Sequence, residues 1–114
     1  SHFLVAAILG AEYGIGVRNG CFCAHPYLLH LMGLSQAESN RVREEILAND
    51  RHDMPGMIRI SFGMYNTAEE VDTVVQALSN IARGKFYGRY EQDSKSGEFQ
   101  AIGWQPDLAR YFKL

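Results

Sequence analysis

The sequence predicts an α/β or α+β domain with two layers, in which helices cover a small antiparallel or mixed sheet. Two kinds of pattern alternate along the chain, helical spacing of apolar residues and strict alternation of apolar with polar residues. The helical pattern is clear near Val74, and the alternating pattern is clear near Ile60. Short strands between helices are typical of layered structures, and 114 residues fit one domain with one core.

The first elements follow from local signals. Apolar residues at positions 3, 4, 7, 8 and 11 predict a helix over residues 3–13, which Gly14 ends. Residues 15–18 alternate as a short strand, and Asn19-Gly20 predicts a turn after it. Residues 21–25 therefore lie in a loop. Proline suits a first helical turn, so a short helix follows over residues 26–32.

Two capping boxes mark later helices. Ser35 with Glu38, and Thr67 with Glu70, have the spacing at which a hydroxyl and a carboxylate satisfy free backbone amides. The first of these helices runs to about residue 48 and has three apolar residues on its inward face: Val42, Ile46 and Leu47. The second ends at Gly84 and has a longer apolar stripe: Val71, Val74, Val75, Leu78, Ile81 and Ala82.

Residues 56–63 form the clearest predicted strand. Ile58, Ile60 and Phe62 share one face, and Met57, Arg59 and Ser61 lie on the other. After Gly84 the chain is crowded with aromatic residues and contains a turn-rich stretch at 93–97, which predicts a loose hairpin. Residues 105–107 could start a terminal helix. We therefore divide the chain into residues 1–84 and an aromatic-rich extension, residues 85–114, packed on the same domain.

Composition excludes several classes of protein. Eleven basic residues against 13 acidic ones give a net charge of −2, whereas a polyanion binder is usually strongly basic, so we expect no nucleic-acid partner. The apolar runs are far shorter than the roughly 20 residues that cross a bilayer, so we expect no membrane partner. Cys21 and Cys23 lie too close in sequence for an unstrained disulfide, which predicts reduced thiols and a cytoplasmic protein.

Cys23 and Arg59 are the candidate functional residues. Cys23 lies on a glycine-containing loop near Arg18, which is the setting of an accessible thiol, although a free cysteine is also often a buried apolar residue. Arg59 interrupts a strand. It could lie on a solvated sheet face, or its guanidinium could bind a carboxylate through two hydrogen bonds.

Other polar residues have simpler interpretations. Four possible zinc ligands lie close together, but their spacing is cramped and no second ligand pair follows, so we assign no metal site: Cys21, Cys23, His25 and His30. His2 and His52 are predicted to be surface residues. The acidic pairs at 44–45 and 69–70 are predicted to be solvated helix faces and caps.

Two segments together resemble a known family. YGIGVRNGCFCAHP at residues 13–26 resembles a loop of class V pyridoxal-phosphate aminotransferases, notably the cysteine desulfurase branch. IRISFGMYNTAEEVD at residues 58–72 resembles the C-terminal strand and helix of the same family. The order and separation of the two segments also agree, and the resemblance covers about residues 3–83. That family often has histidine or serine where this chain has Cys21 and Phe22.

The resemblance implies the small C-terminal domain of a fold-type-I enzyme that acts on an amino acid. Cys23 falls on the cysteine that attacks the substrate sulfur and carries a persulfide. Arg59 falls on the arginine that binds the substrate carboxylate, and Arg18 falls on an arginine beside the site, in a supporting role. The resemblance further implies a homodimer and an upstream large domain, which holds the pyridoxal phosphate and supplies its lysine.

The three lysines of this chain lie in its last thirty residues, outside both motifs: Lys85, Lys95 and Lys113. We therefore assign no cofactor-binding residue here and expect the 114-residue chain alone to be inactive. The chain starts at Ser1 directly in an apolar run, which is also how a piece of a longer protein would look. Two alternatives stay open: another class V reaction, such as transamination, epimerisation or a lyase reaction, and a non-catalytic binding domain with the same fold.

Overall fold

The computed structural model describes residues 1–104 and Arg110. Within that part of the chain, helices and short strands alternate in the following order: α1 (His2–Tyr13), β1 (Arg18–Gly20), α2 (His25–Leu31), α3 (Gln36–Leu47), β2 (Met57–Arg59), α4 (Ala68–Ala82), β3 (Tyr90–Gln92) and β4 (Phe99–Ala101). The predicted mixture of helices and strands is confirmed as an α+β arrangement.

Helix α1 is the central element. It contacts β1, β2, β4 and α4, and its Ile8 and Leu9 side chains are completely buried. Gly14 ends it in the left-handed conformation (φ 66°), as the sequence predicted. The other buried apolar side chains come from several elements and complete a small core: Phe3, Cys21, Leu28, Val42, Val74 and Ala77.

The strands form two separate antiparallel ribbons rather than one sheet. Strand β1 pairs with β2, and β3 pairs with β4. The predicted strand at residues 15–18 was placed too early, since β1 comprises residues 18–20. The predicted turn at Asn19-Gly20 was wrong, because Asn19 pairs with Ile58 and Gly20 with Met57. A dipeptide that is typical of turns can lie in a strand when a partner strand forms hydrogen bonds with its backbone.

The predicted strand over residues 56–63 is confirmed only at 57–59. Its partner β1 is three residues long, so the ladder cannot extend further. The strand ends at Arg59, and the chain turns at residues 63–66, where the Asn66 side chain accepts a hydrogen bond from the Gly63 amide at 2.6 Å. Phe62, which was expected to share an apolar face with Ile58, is 54% exposed.

Both predicted capping boxes are confirmed. Ser35 and Glu38 bond reciprocally at the start of α3, and Thr67 and Glu70 do so at the start of α4. The inward faces were predicted less well. Val42 is buried, but Leu47 at the end of α3 is 77% exposed. On α4, Val71 and Val75 are also exposed, because α1 covers only part of the apolar stripe.

The predicted hairpin near residues 93–97 is confirmed as the β3–β4 ribbon. Its turn is closed by Asp93, whose carboxylate accepts hydrogen bonds from the Lys95 and Ser96 amides at 3.0 and 2.7 Å. The predicted helix start at residues 105–107 lies outside the described residues. In the part of the chain that the structure describes, no helix is long and apolar enough to cross a membrane.

A single carboxylate connects α1 to this hairpin. Glu12 accepts hydrogen bonds from the Tyr87 and Gly88 amides and from the Tyr90 hydroxyl, at 3.1, 2.8 and 2.9 Å. Burial raises the pKa of Glu12, but the hydrogen bonds from Gly88, Tyr87 and Tyr90 outweigh it, so the net pKa is lowered. Burial and then the Glu12 carboxylate raise the pKa of Tyr90 to about 12.

These shifts give the connection a pH dependence. Because the Glu12 pKa is lowered on folding, its contribution is complete above the ordinary value of 4.5 and is lost as the pH falls through the lowered value. Because the Tyr90 pKa is raised, its contribution is complete below 10.0 and is lost as the pH rises through about 12.

We predict that Glu12→Gln lowers the free energy of unfolding at pH 7 by about 1–2 kcal/mol, because charge-assisted hydrogen bonds become neutral ones. Urea unfolding at pH 7 and at an acid pH below the lowered pKa of Glu12 measures this loss. At the acid pH the wild-type carboxyl is protonated too, so the difference between the proteins should shrink. Glu91→Gln, which removes an exposed carboxylate from β3, is the matched control and should change stability little. An equal loss from Glu12→Gln at both pH values would contradict the charge argument.

Candidate functional site

The β1–β2 ribbon brings the two candidate arginines together. Arg18 lies directly opposite Arg59 in the antiparallel register, so both side chains leave the same face of the ribbon. Both residues are exposed. Like charges placed directly opposite each other are destabilising, so the surrounding packing must hold this pair in place.

The ribbon is held by a close backbone approach. Gly20 ends β1 and Gly56 precedes β2, and a Cβ atom built on Gly56 would lie 2.9 Å from the Gly20 Cα and 2.6 Å from the His2 Nε2. Only a residue without a side chain fits between these neighbours. Gly56 therefore sets the distance between the two strands and the start of α1.

His2 supports this junction from the start of α1. Its Nε2–H donates to the Met54 carbonyl at 2.9 Å, and its Nδ1 accepts from the Asn19 side-chain amide nitrogen at 3.4 Å. The carbonyl can only accept and the side-chain NH2 can only donate, so the ring is neutral with its proton on Nε2. Burial is the main cause that lowers the pKa of His2. The prediction of a surface residue was wrong for His2, while His52 is exposed as predicted.

The turn after β1 separates the two cysteines. Cys21 is buried, and its thiol donates to the Pro55 carbonyl at 3.1 Å. Burial raises the pKa of the Cys21 thiol. Cys23 is exposed. Of the two interpretations of the sequence, Cys21 fits the buried apolar residue and Cys23 fits the accessible thiol.

The backbone of this turn is unusual. Phe22 and Cys23 both adopt positive φ angles, 51° and 61°, a region that residues with side chains rarely occupy. The Ala24 amide closes the turn by donating to the Cys21 carbonyl at 2.8 Å. The Arg59 guanidinium carbon lies 5.2 Å from the centre of the Phe22 ring, within the range of a cation–π contact. The residue beside Cys23 therefore contacts Arg59 directly.

Among the described residues, no group of three or more His, Cys, Asp or Glu side chains could hold a metal ion. The four candidate zinc ligands are divided between environments. Cys21 is buried, whereas Cys23, His25 and His30 are exposed.

Residues 1–74 match the family model described as aminotransferase class-V. This chain belongs to the class V aminotransferase family. No solved structure matches it.

Individual relatives of this class V chain are cysteine desulfurases. The chain is 34% identical over 77 residues to a probable cysteine desulfurase of Vibrio cholerae, a match that covers 68% of the chain and 14% of that protein. It is 35% identical over 72 residues to a cysteine desulfurase of Klebsiella pneumoniae, covering 63% of the chain and 13% of that protein. The match to a cysteine desulfurase of Escherichia coli K12 has the same values. The chain thus spans about one seventh of the length of these relatives or less.

Class V aminotransferases depend on pyridoxal phosphate, which binds a lysine amine through its aldehyde and needs donors for its phosphate. Two lysines of this class V chain are described, and both are exposed. Lys85 follows α4, and Lys95 lies in the β3–β4 turn, so neither is on the β1–β2 ribbon or the Cys23 turn. The described residues therefore do not fit a complete cofactor site.

We predict that Gly56→Ala lowers the free energy of unfolding by about 1–3 kcal/mol, because the new methyl group would overlap His2 and the Gly20 backbone. Thermal and urea unfolding measure the loss. Gly10→Ala is the matched control, since a Cβ there meets nothing within 4 Å and alanine favours the helix by up to about 1 kcal/mol. If Gly56→Ala proved no more harmful than Gly10→Ala, the close approach would not set the strand spacing.

Proposed function

We propose that this chain is the small C-terminal domain of a pyridoxal-phosphate-dependent, cysteine desulfurase-like enzyme of fold type I. In this proposal Arg59 binds the substrate carboxylate and Cys23 receives its sulfur. The supporting observation is the contact between Arg59 and Phe22, the residue next to Cys23, in a class V chain whose curated relatives include cysteine desulfurases. We also propose that residues 85–114, of which 105–109 and 111–114 lie outside the described residues, extend the same domain.

The setting of Arg59 suits a carboxylate clamp. The residue is exposed at the end of β2, and Phe22 contacts its guanidinium. A guanidinium carries five N–H donors and bonds a carboxylate through two of them, so a cation–π contact with Phe22 is compatible with binding. Arg18, opposite Arg59 in the ribbon, adds positive charge at the same place and takes a supporting role.

The setting of Cys23 suits a sulfur acceptor. Its side chain is exposed on a short turn. The other thiol of that turn, Cys21, is buried and donates a hydrogen bond to the Pro55 carbonyl. The thiolate is the reactive form of a cysteine. In the proposed reaction the Cys23 thiolate attacks the sulfur of a cysteine substrate. The Cβ–S bond of the substrate breaks, its electron pair stays on the substrate carbon, which takes a proton, and the sulfur remains on Cys23 as a persulfide.

The proposal requires further partners. The lysine and the phosphate site come from an upstream large domain, and the full-length enzyme is a cytoplasmic homodimer that acts on an amino acid. Exposed apolar side chains after β2 support a covering domain: Phe62, Met64 and Tyr65. The 114 residues alone are inactive in this proposal.

In the full-length protein, Arg59→Ala should raise KM for the amino-acid substrate by about 10- to 100-fold, because a charge-assisted hydrogen bond of about 1.5–3 kcal/mol is lost. Arg59→Lys should restore part of the loss, since a point charge replaces a planar fork. Steady-state kinetics with cysteine measure both. An unchanged KM in Arg59→Ala would remove the clamp role.

The matched variant Cys23→Ala should abolish sulfur release and leave substrate binding intact. Cys21→Ala should retain sulfur release, because the Cys21 thiol is buried. If Cys23→Ala still completes a transamination, that class V reaction is favoured over desulfuration.

The isolated chain should form no borohydride-stable adduct at a single lysine when it is mixed with pyridoxal phosphate. Its described lysines lie away from the ribbon and the Cys23 turn. Absorbance spectra and peptide mapping after reduction measure this. Saturable modification of one lysine would show that the chain carries a cofactor site of its own.

A further inference from the structure

Phe22 connects the two residues to which we assign function. Its half-buried ring lies against the Arg59 guanidinium, with 5.2 Å between the guanidinium carbon and the ring centre. Phe22 directly precedes Cys23 in the sequence. The arginine comes from β2, whereas the cysteine comes from the turn after β1, so this contact joins two segments that are distant in the sequence.

The turn that carries Cys23 needs such a contact. Two consecutive residues with side chains in the left-handed region cost free energy, and they persist only where their surroundings hold them. One hydrogen bond closes the turn, from the Ala24 amide to the Cys21 carbonyl, and a second ties Cys21 to Pro55. Both involve Cys21, at the start of the turn. The aromatic contact is the described interaction that restrains the turn at Phe22 itself.

We infer that Phe22 is a positioning residue, which fixes the position of the Arg59 guanidinium relative to the Cys23 turn. This inference rests on the proposed function for the roles of Arg59 and Cys23. The ring restrains the guanidinium from one side, so that a carboxylate bound to Arg59 lies at a defined place. The same ring restrains the left-handed turn, so that the Cys23 thiol has a defined position relative to that carboxylate.

The first test uses the 114-residue chain and two variants of Phe22. Phe22→Tyr keeps the aromatic ring, and Phe22→Leu keeps an apolar side chain without it. The NMR signal of the Arg59 Nε–H reports the ring, because an aromatic face shifts nearby protons. Hydrogen exchange of the Ala24 amide reports the order of the turn, because that amide donates to Cys21.

Phe22→Leu should move the Arg59 Nε–H signal and speed Ala24 exchange by about two- to five-fold, the range expected for one exposed cation–π contact. Phe22→Tyr should leave both near wild type. A merely structural role for Phe22 would change exchange without a matched change in the Arg59 signal, and that result would overturn the inference.

Changing Arg59 instead of Phe22 tests whether the two residues are coupled. Arg59→Met should also speed Ala24 exchange, although Arg59 lies on a different strand, and it should have no further effect in a Phe22→Leu background. Arg18→Met is the matched control. It removes the same like-charge repulsion from the ribbon, and it should leave Ala24 exchange unchanged. Equal acceleration by Arg18→Met and Arg59→Met would assign the effect to the ribbon and overturn the role of Phe22.

Titration with acetate separates this inference from the proposed function. If acetate shifts the Arg59 Nε–H signal and Phe22→Leu weakens that response, while Phe22→Tyr does not, both are supported. If acetate binds Arg59 equally well in all three proteins and Ala24 exchange is also the same, the inference fails and the clamp survives. If acetate leaves the Arg59 signal unmoved while the Phe22 effects occur, the clamp fails and the coupling survives.

Discussion

The antiparallel pairing of β1 with β2 is the interaction on which the rest of the site depends. A ribbon of three residue pairs is too short to be stable alone. It forms because Gly20 and Gly56 let the backbones approach and because His2, at the start of α1, bonds to both sides of the junction. Through this junction the buried core of α1 fixes the positions of Arg59 and of the turn that follows β1.

Two features of the ribbon are unfavourable by themselves. Arg18 and Arg59 face each other with like charges, and Phe22 and Cys23 occupy a backbone region that disfavours side chains. Neither feature stabilises the fold. An anion bound between the two arginines would offset their repulsion, and the left-handed turn would place the Cys23 thiol at the surface. Features that cost stability in this way support a functional role for the surface more than its exposed charges alone would.

Local signals in the sequence predicted the local structure. Both capping boxes, the helix end at Gly14 and the hairpin at Asp93 depend on residues within a few positions of each other, so the sequence displays them directly. The motifs also pointed to Cys23 and Arg59 as candidate functional residues, and the roles proposed for them stay predictions. The register of β1 with β2 was not predictable in the same way, since a turn dipeptide such as Asn19-Gly20 enters a strand only when a distant partner is present.

Residues that act at a distance were missed for the same reason. His2 was expected at the surface, yet it lies seven residues before the buried Leu9, and that helical spacing was a usable signal. Gly56 and Phe22 gave no comparable signal, because their roles depend on contacts with Gly20 and Arg59.

The environments of the two thiols decide which of them can react. Residues two apart are poorly placed for a disulfide, and joining them would also take the Cys21 sulfur away from the Pro55 carbonyl. The turn therefore favours two separate thiols. Because burial raises the pKa of Cys21, less of it is thiolate at neutral pH, and its sulfur points into the protein. Any sulfur chemistry on this turn consequently falls to Cys23, and the buried Cys21 serves to hold the turn against the start of β2.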